Sequence, residues 1–107
     1  MSILLVHCTC PDEASADTLA RALVEERLAA CVSRLPGVRS TYRWQGEIEH
    51  ADEVLLLIKT TAERLDALVE RIHALHPYEL PEVVAVEACG GLSPYLQWVA
   101  EQTLQPS

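Results

Sequence analysis

Three uninterrupted apolar runs constrain this chain more than any other feature: Ile3-Leu4-Leu5-Val6, Val54-Leu55-Leu56-Leu57-Ile58 and Val83-Val84-Ala85-Val86. Each reads as a strand, and none approaches the length of a membrane span. A strand covered on one side alternates apolar and polar residues, because successive side chains point to opposite faces. These runs do not alternate, so both faces of the sheet they build require cover. Helices of a small domain cover one face. A second copy of the sheet is then expected over the other, in a closed cyclic assembly.

The segments between the runs complete the pattern. The first strand continues to about Thr9. Pro11, Asp12 and Glu13 suit the start of a helix, and Ala16, Leu19, Ala20, Leu23, Val24 and Leu28 recur at helical spacing, predicting an end near Ala29 or Ala30. A strand opens at Cys31, is interrupted at Pro36-Gly37 by a bulge or kink, and alternates from Val38 to Gln45. Gln45-Gly46 is a turn signal leading into the strand that contains residues 54–58. Thr60-Thr61-Ala62-Glu63 has the spacing of a capping box, with Thr60 as cap. Leu65, Leu68, Val69, Ile72 and Leu75 form the stripe of a second helix, which Pro77 stops. The run 83–86 is the fourth strand. After Gly90-Gly91, Ser93-Pro94 is expected to cap a short third helix, and only Leu104 to Ser107 reads as a frayed end.

The order β-α-β-β-α-β plus a C-terminal helix is the ferredoxin-like split βαβ pattern of an α+β domain. With 107 residues the chain is one domain, residues 1–107, able to bury one core and not two. The hairpin from Val38 to Ile58 exceeds what one small sheet needs, and its edges invite a partner strand.

Charge narrows the partners. Eight basic against sixteen acidic residues give a net charge of −8, which repels nucleic acid and anionic membrane. The first apolar run has no basic lead and meets His7 at once, so no signal peptide is read and a cytoplasmic location is expected. Cys8, Cys10, Cys31 and Cys89 then sit in a reducing compartment, as packed thiols or metal ligands rather than disulfides.

Few residues carry evident chemistry. There is no Gly-rich phosphate loop, no H-E-x-x-H and no G-x-S-x-G, so the chain does not read as an enzyme. Cys8 and Cys10 stand two apart on a strand and point the same way. Such a pair reads first as two small core fillers, and alternatively suits a soft metal such as copper(I). Cys31, at a helix-to-strand junction, is either packed or joins Cys8 in a site. His73 and His76 are spaced i, i+3 at a helix end, where they share a metal or satisfy carbonyls. His7 and His50 carry no evident role. The stiff segment His76 to Glu82, with Tyr78, together with the hairpin aromatics Tyr42 and Trp44, either serves ordinary core or interface packing or lines a pocket at a subunit junction.

These stretches, taken in order, carry a resemblance. Cys8-Thr9-Cys10-Pro11-Asp12-Glu13, Leu28-Ala29-Ala30-Cys31-Val32, Pro36-Gly37-Val38, Tyr42-Arg43-Trp44-Gln45-Gly46, Leu57-Ile58-Lys59-Thr60-Thr61, His76-Pro77-Tyr78, Leu80-Pro81-Glu82-Val83-Val84-Ala85 and Tyr95-Leu96-Gln97-Trp98 resemble the CutA divalent-cation-tolerance family over nearly the whole chain. The resemblance implies a ferredoxin-like fold, a homotrimer like the PII signalling proteins, and a cytoplasmic part in tolerance to divalent metals. It also implies binding of copper or another divalent cation, with no cofactor required for folding. The family's metal-binding thiols correspond to Cys8 and Cys31 and its imidazole to His76; Cys10 and Cys89 depart from its pattern. Tyr42, Trp44, Tyr78 and Trp98 are the residues expected at a ligand pocket or interface. An alternative role is a PII-like signalling or adaptor trimer that holds a small molecule between subunits. Cys8 ends the first strand, Cys31 opens the second and His76 ends the second helix, so the three are expected to converge on one site; the alternative is that the thiols stand apart within one chain, because in a split βαβ sheet the first strand neighbours the third and fourth.

Overall fold

The structure is a computed structural model that describes residues 2–105, so part of the expected frayed end lies outside the described residues. Its elements run β1 (Ile3–Cys10), α1 (Glu13–Glu25), β2 (Cys31–Trp44), β3 (Glu47–Thr61), α2 (Leu65–Leu75), β4 (Val84–Glu87) and α3 (Ser93–Gln102), with a 3-10 turn at Ala62–Arg64 leading into α2. The four strands form one antiparallel sheet in the order β2-β3-β1-β4. This is the α+β, ferredoxin-like arrangement that the element order implies.

Helices α1 and α2 cover one face. Val6, Cys8 and Cys10 of β1, Leu56 and Ile58 of β3, Leu23 of α1 and Leu68 and Ile72 of α2 are fully withdrawn from water in a single core. Each such leucine or isoleucine contributes about 1.5–3 kcal/mol by burial. The exposed ion pairs Arg21–Asp17 and Arg39–Asp52 are each worth about 0–1 kcal/mol, so packing decides the fold. A smaller cluster of Ile3, Ala30 and Val99 lies under α3, with Leu96 and Ala100 against it. The rest of that second face is bare: Leu35, Val84 and Val86 are all at least 40% exposed.

Local chemistry explains where the elements start and stop. Asp12 is the N-cap of α1, which leaves Pro11 just ahead of the helix rather than in its first turn: the Asp12 carboxylate accepts from the Ser15 N–H at 2.8 Å and the Ser15 hydroxyl at 2.7 Å. The helix stops at Glu25 rather than near Ala29, because Arg27 takes a left-handed conformation (φ 59°). The Arg27 and Leu28 amides then donate back to the carbonyls of Val24 and Leu23, the paired closure of a Schellman motif. Gln45 and Gly46 both have positive φ, 50° and 83°, as a two-residue type I′ hairpin demands. The bulge expected at Pro36-Gly37 is present as a register shift between Leu35 and Val38.

Two expected caps are absent. Thr60 is still in β3, fully buried, and its hydroxyl donates to the Leu28 carbonyl at 2.7 Å instead of capping α2. Continued pairing of Thr60 and Thr61 with Leu4 and Ile3 keeps the strand going past the capping-box motif. Ser93 lies inside α3, whose cap position is Leu92, with no side-chain bond there.

Candidate functional site

The site grows from the end of β1. Alternation places Cys8 and Cys10 on the core side, both with no exposure to water. β4 pairs with β1 only from Leu4 to His7, so the strand edge beyond His7 is left without a neighbour. His76 fills that gap. Its amide closes the last turn of α2 on Ile72 at 2.8 Å, and its backbone then turns extended ahead of Pro77. The ring, 7% exposed, reaches the Thr9 carbonyl through Nε2 at 2.7 Å. Nδ1 accepts from the Tyr78 amide at 3.0 Å. These two partners assign the proton to Nε2 and the lone pair to Nδ1.

The sulfurs of Cys8 and Cys10 and a ring nitrogen of His76 all lie within 4.8 Å of one another. Donation to Cys10, reinforced by burial, drives the Cys8 thiol far above the ordinary range. The same hydrogen bond stabilises the Cys10 thiolate and lowers that group. Glu53 and Glu82 bring negative charge toward Cys8, so the surroundings favour a cation over an anion.

Tyr78 joins this cluster to an open cleft. Its ring lies 4.8 Å from the His76 ring, and its hydroxyl donates to Glu53 Oε2 at 2.7 Å. Burial, then the hydrogen bond and charge of Glu53, hold the phenol protonated well above its usual range. The cleft holds about 950 Å³, and its walls include Thr9, Tyr42, Trp44, Glu53, Tyr78 and Pro81.

Of the expected site residues, the structure brings together Cys8 and His76. Among the described residues Cys31 is not in their cluster. It opens β2 opposite Lys59, two strands from Cys8, and the Lys59 ammonium stands 3.8 Å from its sulfur and 2.7 Å from the Ser33 hydroxyl. Tyr42, Trp44 and Tyr78 line the cleft, but Trp98 does not: it stacks at 5.6 Å on Tyr95 of α3. His73 is exposed on α2 and does not meet His76 in the cluster. Cys10 and Glu53 are the residues whose part the motifs understated. The i, i+2 spacing to Cys8 was the available signal for Cys10; Glu53 had none, as one of many acidic residues.

Comparison with known proteins covers almost the whole chain. The family model described as "CutA1 divalent ion tolerance protein" matches residues 4–102. The divalent-cation tolerance protein CutA of Thermus thermophilus is 52% identical over 99 residues, 92% of this chain and 96% of that protein. The human protein CutA is 46% identical over 95% of this chain, which spans 57% of the human protein. Among solved structures, CutA of Xylella fastidiosa superposes with a TM-score of 0.93 at 51% identity, covering 96% of this chain and 99% of that one. CutA1 of Oryza sativa gives a TM-score of 0.95 at 39% identity, covering 99% and 97%.

Proposed function

Because the chain belongs to the CutA1 divalent ion tolerance family, we propose that it is a metal-binding homotrimer serving divalent-cation tolerance in the cytoplasm, with copper the favoured ion. The observation that carries this reading is the meeting of Cys8 and His76, a thiol and an imidazole, in one buried place. Thiolate and imidazole suit copper and zinc, whereas magnesium and calcium prefer oxygen. Cys31 completes the donor set implied by the family only if a neighbouring subunit carries it there, since within one chain it faces Lys59.

The bare sheet face supports the assembly. Alternation from the buried Leu4, Val6, Leu56 and Ile58 puts Leu5, Leu55 and Leu57 on the opposite side, together with the exposed Leu35, Val84 and Val86. An apolar surface of this kind on a small acidic domain is the mark of an interface. Among the described residues no helix is long and apolar enough to cross a membrane, so a lipid partner is not invoked. Native mass spectrometry of protein purified without added metal, then after copper addition, tests both parts. Three subunits retaining copper is the expected result. A stable monomer at micromolar concentration overturns the assembly, and a trimer that retains no added ion overturns the metal reading.

A second reading rests on the cleft beside Tyr42, Trp44 and Tyr78. Its aromatic walls and volume of about 950 Å³ suit a small organic molecule, as a PII-like signalling trimer requires. An organic ligand carried through purification, seen by mass after denaturation, supports it. Its absence at all subunit stoichiometries counts against it.

A further inference from the structure

We propose that Cys8, Cys10 and His76 form a metal site complete within one subunit, selective for a soft d10 cation, copper(I) foremost. This rests on the reading of the chain as a metal-binding protein and goes beyond it by replacing Cys31 with Cys10. Three observations carry it.

The first is proximity with composition. Two sulfurs and one ring nitrogen lie within 4.8 Å of one another, and the trio includes no carboxylate. Soft thiolates select copper(I), and hard divalent ions find no oxygen ligand in this trio. The second is burial. Cys8 and Cys10 are fully buried and His76 is 7% exposed, so an ion held here is shielded from water. The third is the way the imidazole is held. The Nε2–H···O=C bond to Thr9, 2.7 Å, is the outer hydrogen bond that orients a metal-binding histidine and leaves the lone pair on Nδ1. That lone pair now meets the Tyr78 N–H at 3.0 Å. With Nδ1 as the ligand atom, loading would exchange the Tyr78 hydrogen bond for the metal bond while the ring kept its Thr9 anchor. Thr9, Glu53 and Tyr78 line the adjacent cleft, which brings the Glu53 carboxylate to the side of the trio where a cation would arrive.

A reduced ion is supplied in the test, so no redox step enters. Copper(I) is offered under anaerobic conditions from a coloured copper(I) chelator to the wild-type protein and to Cys8→Ala, Cys10→Ala and Cys31→Ala. One copper per subunit is expected in the wild type. Loss of an outer-sphere partner alone weakens metal sites by 10–100-fold, so Cys8→Ala and Cys10→Ala should each weaken competition by at least about 100-fold. Cys31→Ala should compete as the wild type does. X-ray absorption on the copper-loaded wild type should show two sulfurs and one nitrogen, a readout independent of how well the variants fold. Wild-type affinity in Cys10→Ala, or loss of copper in Cys31→Ala equal to that in Cys8→Ala, overturns this site and leaves the chain a copper protein. A wild-type chain that takes no copper(I) from the chelator overturns the metal reading itself.

Discussion

Thr60 shows how one side chain decides a boundary. Its hydroxyl is the donor to the Leu28 carbonyl at 2.7 Å, in a place with no access to water. Thr60→Val keeps the shape and removes the donor. An unsatisfied buried carbonyl costs about 1–3 kcal/mol, and we expect chemical denaturation to show a loss in that range. A change under about 0.5 kcal/mol would mean that the carbonyl finds another donor. Asp12 offers a second test. Its carboxyl is held below the usual carboxylate range by the Ser15 amide and hydroxyl, so its folded pKa lies below the unfolded one. Its contribution is then present above the unfolded pKa and lost as pH falls through the folded value. Asp12→Ala should melt lower than wild type at neutral pH, and the gap between the two melting temperatures should close in strong acid. A gap that stays constant to low pH would rule out the capping role.

Among the elements, α1 closes on an arginine where glycine is the ordinary choice. A side chain in the left-handed region costs about 1–2 kcal/mol. Arg27→Gly relieves this, partly offset by the greater freedom of glycine in the unfolded chain. We expect a gain of up to about 1 kcal/mol for Arg27→Gly and none for Arg27→Ala, measured by denaturant melts. Equal effects of the two would show that φ at Arg27 is not what matters. The elements also show what periodicity could and could not read. Apolar runs located β1, β3 and β4 and helical stripes located α1 and α2, while β2 was read from its alternation and turn signals and α3 from the Gly-Gly break and Ser93-Pro94. The end of α1 was not legible, because Leu28 is buried and extends the helical stripe although the backbone has already turned at Arg27. The capping box at Thr60 misled for a related reason: β1 goes on pairing with β3 as far as Thr61, and a local motif yields to a continued ladder. At the site, the Cys8–Cys10 spacing was readable from strand alternation. The approach of His76 was not, since it depends on β4 ending its pairing at His7, sixty-nine residues before the ring in the chain.

For the whole molecule, the contrast between the two sheet faces is decisive. One is filled by α1 and α2, while the other carries Val84 and Val86 at 53% and 45% exposure. Val86→Glu places a charge on the bare face of an outer strand. It costs little in a lone chain, where the position is already wet, but burying an unpaired charge in an interface costs several kcal/mol. We expect Val86→Glu to remain folded by circular dichroism and to sediment as a smaller species than wild type. Unchanged sedimentation would show that this part of the face is not where subunits meet.

The two hydrogen bonds of the His76 ring have a further consequence. One nitrogen holds the end of β1; the other holds the Tyr78 amide, and Tyr78 is a wall of the cleft. An ion that takes Nδ1 and an occupant that presses on Tyr78 therefore bear on the same amide. Equilibrium linkage makes their influence mutual: by whatever factor a filled cleft weakens or strengthens the hold on the ion, the ion alters the hold on the occupant by the same factor. If the proposed ion and a cleft occupant both bind, cation level would register as a change in what the cleft retains, and Trp44, which also lines the cleft, would give that exchange an intrinsic fluorescent signal.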